Sequence, residues 1–186
     1  MQQKKEVKQL IAASFKELAV TKPIEKITIR EITDRAGVIR VTFYNHFQDK
    51  YELLEWICRE ELFNPMRALL WNDMEREALA FLFNGILHNR EFYRHVIHME
   101  GQNSFQDIVR ACFSEMLTEY LTVKAGNKPR RYEWLTAERV GEIYAHSLAY
   151  VLITWIRDGM QEPPEEMVEI YIYAGTHSLT DIRKEF

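Results

Sequence analysis

Glycine and proline are scarce, seven and five among 186 residues. That is too few for the many tight turns of a β-sandwich or barrel. Cysteine is scarcer still. Cys58 and Cys112 stand alone, without the paired spacing of a zinc or redox site, and are expected as reduced, partly buried thiols. No stretch approaches the roughly 18 consecutive apolar residues that span a bilayer. Met1-Gln2-Gln3-Lys4-Lys5-Glu6 leads into amphipathic sequence and not into the apolar run of a secretory signal. The expectation is a soluble, cytoplasmic chain with no membrane partner. A Gly-rich phosphate loop, a GxSxG elbow, an HExxH helix and a Cys–His pair in a recognisable setting are all missing, so no enzyme is expected. No cofactor or metal is expected either. His95 and His98 share a helix face near His88, but no cysteine or paired carboxylate completes a ligand set.

What is present is helical. Apolar residues make up 47% of the chain, enough for a packed core, and long stretches are rich in Leu, Glu, Arg, Ala and Met. Charge is unevenly spread. Residues 1–50 hold ten Lys/Arg against six Asp/Glu, whereas residues 51–186 hold fourteen against twenty-two. A basic head on an acidic body suits a chain with one DNA-facing end.

Apolar residues at Val7, Leu10, Ile11, Phe15 and Leu18, with Ser14 among them, recur at helical spacing and define one face of a first helix that ends before Pro23. Thr28 followed by Glu31 is a capping box. It opens a second helix expected over Ile29–Ala36, with Ile27 as a hydrophobic staple and Gly37 as the turn. A third, short helix is expected over Ile39–His46. Asp49 and Glu52 cap a long helix that should end near Asn64-Pro65. Further helices are expected at about Asn72–Leu87, Arg90–His98 and from Asn103 or Ser104 to Val123. The last two run from Thr136 to Asp158 and from Pro163-Pro164 toward Lys184, with Ala125-Gly126-Asn127-Lys128-Pro129 as the clearest loop. The fold class is therefore all-α, about nine helices. A three-helix helix-turn-helix head at 1–50 precedes a helical effector-binding and dimerisation body at 51–186.

Two short helices joined by a glycine turn, after a longer amphipathic one, form a DNA-reading module. Thr28-Ile29-Arg30-Glu31-Ile32, Ala36-Gly37-Val38 and then Thr42-Phe43-Tyr44-Asn45-His46-Phe47 with Lys50 resemble the TetR/AcrR family of transcriptional regulators. The resemblance is strong over about residues 5–55. It implies contacts with double-stranded operator DNA from Thr28, Arg40, Val41, Thr42, Tyr44, Asn45, His46 and Lys50. The chemistry of those residues agrees. Arg40 reaches the two acceptors of a guanine edge, Val41 offers apolar contact, Thr42 can hydrogen-bond a phosphate or pack on a thymine methyl, and Lys50 suits a phosphate. Phe43 and Phe47 read as inward-facing. Ile39 stands where many relatives cap the helix with Ser, a loss of about 1 kcal/mol.

A single helix-turn-helix makes few contacts, and two-fold pairs are the usual remedy. The resemblance implies a homodimer through the last two long helices, with Tyr144, Leu148, Val151, Trp155, Tyr171, Ala174 and Ser178 as interface candidates. Small residues Ala145, Ala149, Ala174 and Gly175 would allow close helix approach. Trp71, Phe81, Phe92, Tyr93, Phe105, Phe113 and Trp155 are candidates to line an effector pocket in the middle helices. Asn89-Arg90-Glu91-Phe92-Tyr93 and Gly101-Gln102-Asn103-Ser104-Phe105 look like a subgroup that includes an activator of dihydroxyacetone kinase genes. That leaves repressor and activator both open, and the effector as a small molecule or a protein partner. The alternative is a protein-interaction module that docks another regulator and has no small-molecule pocket.

Overall fold

A computed structural model describes residues 2–99, 104–126 and 129–186, with side chains from Lys5 onward. Gly101, Gln102, Asn103, Asn127 and Lys128, read above as breaks or a cap, lie outside the described residues. Every regular element among the described residues is helical. Helix α1 spans Gln2–Ala19. Its buried face is Ile11, Ala12, Ser14, Phe15, Leu18 and Ala19. Leu10, expected on that face, is 54% exposed, because the stripe follows the 3.6-residue period through Ala12 and Ala19 instead.

Helix α2 (Ile29–Ala36) begins and ends as expected. Thr28 accepts the Glu31 backbone N–H, and Glu31 accepts the Thr28 backbone N–H at 2.9 Å. Gly37 then adopts φ 67° and ψ 29°, the left-handed conformation, and lets the Val38 N–H reach the Thr33 carbonyl at 3.0 Å. Helix α3 is only Arg40–Tyr44, shorter than the expected span, and its cap Ile39 supplies no side-chain hydrogen bond.

Helix α4 (Lys50–Cys58), capped by Asp49, does not stop at Asn64-Pro65. It passes through a π-helical turn at Arg59–Phe63 and continues as α5 (Asn64–Trp71), with Pro65 in the first turn. Proline lacks an N–H and its ring collides with the carbonyl four residues back. A turn wound one residue wider lets the rod continue through it. The expected helix end is thus a change of register inside one rod.

The body adds α6 (Glu75–His88), α7 (Arg90–Val96), α8 (Phe105–Ala125), α9 (Ala137–Arg157) and α10 (Pro164–Thr176). Ser104 caps α8 and Thr136 caps α9, each by accepting the N–H three residues on. The final helix was expected to run unbroken to about Lys184. It ends at Thr176 instead, and Ser178 caps a separate short helix, α11 (Leu179–Ile182). Helices α8 and α9 pack closely because Gly141 has no side chain. A Cβ there would lie 2.7 Å from the Thr118 hydroxyl and 3.0 Å from the Ser114 carbonyl. One apolar cluster runs from Ile11 through Phe43, Leu54 and Phe92 to Trp155 and Tyr171, so head and body share a core. The edge of Phe92 meets Phe15 at 6.2 Å across that junction.

Candidate nucleic-acid interface

The head presents one side of α3 to solvent. Phe43 and Phe47 are buried, as expected; their rings meet at a tilt, and Phe47 meets Trp56 edge-on. Anchored by those rings, the helix turns Arg40, Val41, Tyr44 and Asn45 outward, all exposed, with Thr42 and His46 half-buried at the edge. Val41 is 63% exposed and Ile39, at the entrance to the helix, 70%. Two exposed branched aliphatics beside an arginine form a surface that water does not favour and a groove of thymine methyls does. Ile39 was read only as a missing cap. Its exposure places it beside the outward face of α3. The Arg40 guanidinium lies 5.5 Å from the Tyr44 ring centroid and donates to the Tyr44 hydroxyl at 3.2 Å. That contact holds a long side chain ready at the helix surface and lowers the entropy lost on binding.

Thr28, which stays exposed, and Lys50, half-buried, are both hydrogen-bonded to other groups of the head. The Thr28 hydroxyl donates to Glu31 at 2.7 Å as well as capping α2. Lys22 pairs with Glu31, and that bond, with those from Thr28, holds the Glu31 carboxyl down at about 2. The Lys50 ammonium donates to the Glu25 carbonyl at 2.7 Å and the Ile27 carbonyl at 2.9 Å. It therefore ties the start of α4 to the turn that leads into α2, and partial burial lowers its pKa. Nothing in the sequence pattern pointed to those carbonyls, since backbone acceptors carry no side-chain signature.

The rod formed by α4, the π turn and α5 links head to body. Lys16 on α1 donates to Glu61 in the π turn at 2.6 Å, and Lys5 pairs with Glu60 at 3.5 Å. Arg59 bridges Glu55 and Glu115, reaching α8. A cleft of about 670 Å³ opens farther along, between α5, α6, α8, α9 and α10. Its apolar walls include Met66, Leu70, Leu79, Phe113, Leu117 and Val151; its polar groups are Glu75, Ser147, Thr176 and the tyrosines 144, 150 and 171.

Of the seven aromatic pocket candidates, the structure brings only Phe113 to this cleft. Phe92, Tyr93 and Phe105 stack together in the core. The Tyr93 hydroxyl is buried with no hydrogen-bond partner among the described residues. Trp155 packs on Phe83, and its indole N–H donates to the Glu162 carbonyl at 3.0 Å, closing the loop between α9 and α10. Trp71 sits at the far end of α5 between Tyr120 and Arg67, and Phe81 lies on the outer side of α6. Aromatic content alone could not separate core from wall, because both need large apolar side chains.

The interface candidates divide as well. Leu148 and Trp155 are buried within the protomer and have no surface left for a partner. Tyr171 is buried, donating to the Tyr144 carbonyl at 3.1 Å, and Ser178 is spent on capping α11. Ala145 and Ala149 are covered in the same chain. Tyr144 and Ala174 are exposed, and Val151 is half-buried. Ile143, 52% exposed, and Tyr150 extend that open apolar face along α9, with Ile170 on α10. The histidines set aside above remain without a cluster: His95 is hydrogen-bonded to the Glu91 carbonyl, and no group of three ligand side chains is placed for a metal among the described residues.

A helix-turn-helix with one exposed helix face, on a helical body with an apolar cleft, has the outline of a DNA-binding regulator. The comparisons agree. The model of the bacterial regulatory proteins of the tetR family matches residues 11–57, and that of a transcriptional regulator C-terminal region matches residues 75–174. The chain belongs to the TetR family of transcriptional regulators. Among its relatives is the HTH-type dhaKLM operon transcriptional activator DhaS of Lactococcus lactis subsp. lactis (strain IL1403). The two are 26% identical over 136 residues, covering 70% of this chain and 68% of that one. The solved structure of a dihydroxyacetone kinase operon activator DhaS shares the fold with a TM-score of 0.61 at 21% identity, covering 90% of this chain and 93% of that one. The Thermus thermophilus repressor FadR, solved with lauroyl-CoA, follows at 0.59 and 19% identity, covering 89% and 91%.

Proposed function

We propose that this regulator binds a near-palindromic operator as a homodimer and that a ligand in the cleft alters its grip on DNA. Residues 1–50 form the DNA-reading head and residues 51–186 the effector-binding and dimerisation body. The observation that carries the reading is the outward face of α3, where Arg40, Val41 and Tyr44 stand exposed over a fully buried Phe43. Arg40, Val41, Ile39 and Thr42 read base edges. Tyr44, Asn45, His46 and Thr28 approach phosphates, and Lys50 sets the angle between α4 and the head. The cleft suits an apolar molecule with a hydrogen-bond donor for Glu75, and it supports an effector over a body with a filled core. Met66 and Leu70, beyond the π turn on the same rod as Lys50, connect that ligand to the head. The protein acts in the cytoplasm, without catalytic turnover, and its kinship with an activator and a repressor leaves the sign of regulation to the promoter.

The test is selection from a random duplex pool, followed by sequencing, with light scattering on the same preparation. An enriched inverted repeat with half-sites about one helical turn or more apart, bound by a particle of twice the chain mass, is the expected result. Replacing Ile143 and Tyr150 by Asp should yield a folded monomer that enriches nothing. A pool without enrichment would overturn the DNA reading, and a wild-type monomer the dimer.

A further inference from the structure

We propose that residues 130–136, leading into α9, form a docking site for an acidic, aromatic- or leucine-bearing segment of another protein, separate from both the DNA face and the cleft. Tyr132 is 57% and Trp134 61% exposed, and Arg130 and Arg131 beside them are exposed too. An exposed Trp and Tyr beside two exposed Arg have the composition that dominates binding hot spots. The indole is also held in place. The Arg139 guanidinium sits 4.6 Å from the Trp134 ring centroid and donates to the Trp134 carbonyl at 3.0 Å. The Thr136 N–H donates to the same carbonyl at 3.0 Å, and the Leu135 N–H to the Tyr132 carbonyl at 3.1 Å. A pre-ordered anchor loses little side-chain entropy on binding.

Charge selects the partner. Positions 129–139 carry three basic residues against two acidic ones, on a body that carries fourteen against twenty-two. This is a basic island in an acidic field, and it attracts carboxylates. Nucleic acid is the poorer match, because the island lies at the end of the body away from the head. Helix α8 runs beside the rod through Arg59–Glu115, Arg67–Glu119 and Lys124–Asp73, each pair one step farther from Lys50. The rod from Lys50 to Trp71 is roughly 30 Å long at about 1.5 Å per residue. DNA gripped by α3 does not reach that far along an acidic body.

The experiment uses the full chain and a fluorescein-labelled twelve-residue synthetic peptide alternating Glu with Leu and Phe, read by anisotropy. Its controls are a Gln-for-Glu twin and an unlabelled random-sequence duplex. Binding of the acidic peptide, weakened at least tenfold in the twin, in Trp134→Ala and in Arg130→Glu/Arg131→Glu, and partly restored in Trp134→Phe, is the expected result. The variants should keep the wild-type mass, melting temperature and affinity for the selected operator, so failure here leaves the DNA reading standing. Absence of peptide binding, binding indifferent to these substitutions, or displacement of the peptide by the duplex from this loop would overturn the proposal. So would a change of mass in Trp134→Ala, which would make the loop a contact between copies of this chain.

Discussion

Gly37 shows how a single residue sets the geometry of the reading head. Its φ of 67° lies in the left-handed region, and a Cβ there would meet nothing within 4 Å. The penalty for Gly37→Ala is therefore backbone strain alone, about 1–2 kcal/mol. Chemical denaturation should show that loss with an unchanged m-value. A neutral result would mean the α2–α3 turn is set by packing instead. Glu31 makes a prediction in pH. Its carboxyl is held at about 2 by Lys22 and Thr28, below the ordinary 4.5. A depressed carboxyl contributes stability that is fully present above the unfolded value. The contribution is lost as pH falls from about 4.5 toward 2. Melting of Glu31→Gln should therefore depend less on pH across that window than melting of the wild type. Parallel curves would remove Glu31 from the account. The two thiols make no comparable device. Burial pushes Cys58 well up and Cys112 to about 12, so both stay protonated and inert.

At the scale of the element, Gly141 decides how closely α9 lies on α8. Adding a methyl there drives it against the Thr118 hydroxyl, which can turn, and the Ser114 carbonyl, which cannot. Gly141→Ala should destabilise the body by about 1–3 kcal/mol through overpacking, seen as a lower denaturation midpoint. A stabilised protein would show that the gain in helix propensity outweighs the clash. The helical elements themselves were legible where local chemistry is decisive. The Thr28–Glu31 box, the Gly37 turn and the Ser104 and Thr136 caps are side-chain-to-backbone events within four residues, and their signatures are local. The π turn was not legible. Pro65 read as a terminus because a wider turn upstream has no signature of its own. The break at His177 was missed for a similar reason: helical apolar spacing continues through Leu179 and Ile182, and Ser178 serves as a cap only once the chain has turned. The cleft was least legible of all. Its walls come from five helices, and which side of Phe113 or Phe105 faces the gap depends on packing between elements far apart in sequence.

The whole molecule joins these parts through one rod. Lys50 holds its beginning to the head, and Lys5 and Lys16 pin its π turn to α1. Met66 and Leu70, near its end, line the cleft. A ligand that prefers one position of α5 therefore prefers one position of the head. The coupling is as large as its difference in affinity for the two positions. The open apolar face of α9 and α10, with Ile143, Tyr150 and Ile170, borders the same cleft, so the proposed pairing of two chains would draw on residues of the cleft wall. Tyr144, Val151 and Ala174, expected at the interface, also line the cleft. In the proposed dimer, two heads at a fixed spacing turn a modest single-head affinity into a specific one.

The most direct test of this account is fluorescence anisotropy of the selected operator with the wild type, Arg40→Ala and Val41→Ala, each at two salt concentrations. The account predicts salt-dependent binding in all three, with affinity reduced roughly ten- to hundredfold in Arg40→Ala at unchanged salt slope. Val41→Ala should shift preference at one base pair. Operator binding unaffected by either substitution would place DNA recognition somewhere other than α3 and contradict the central claim.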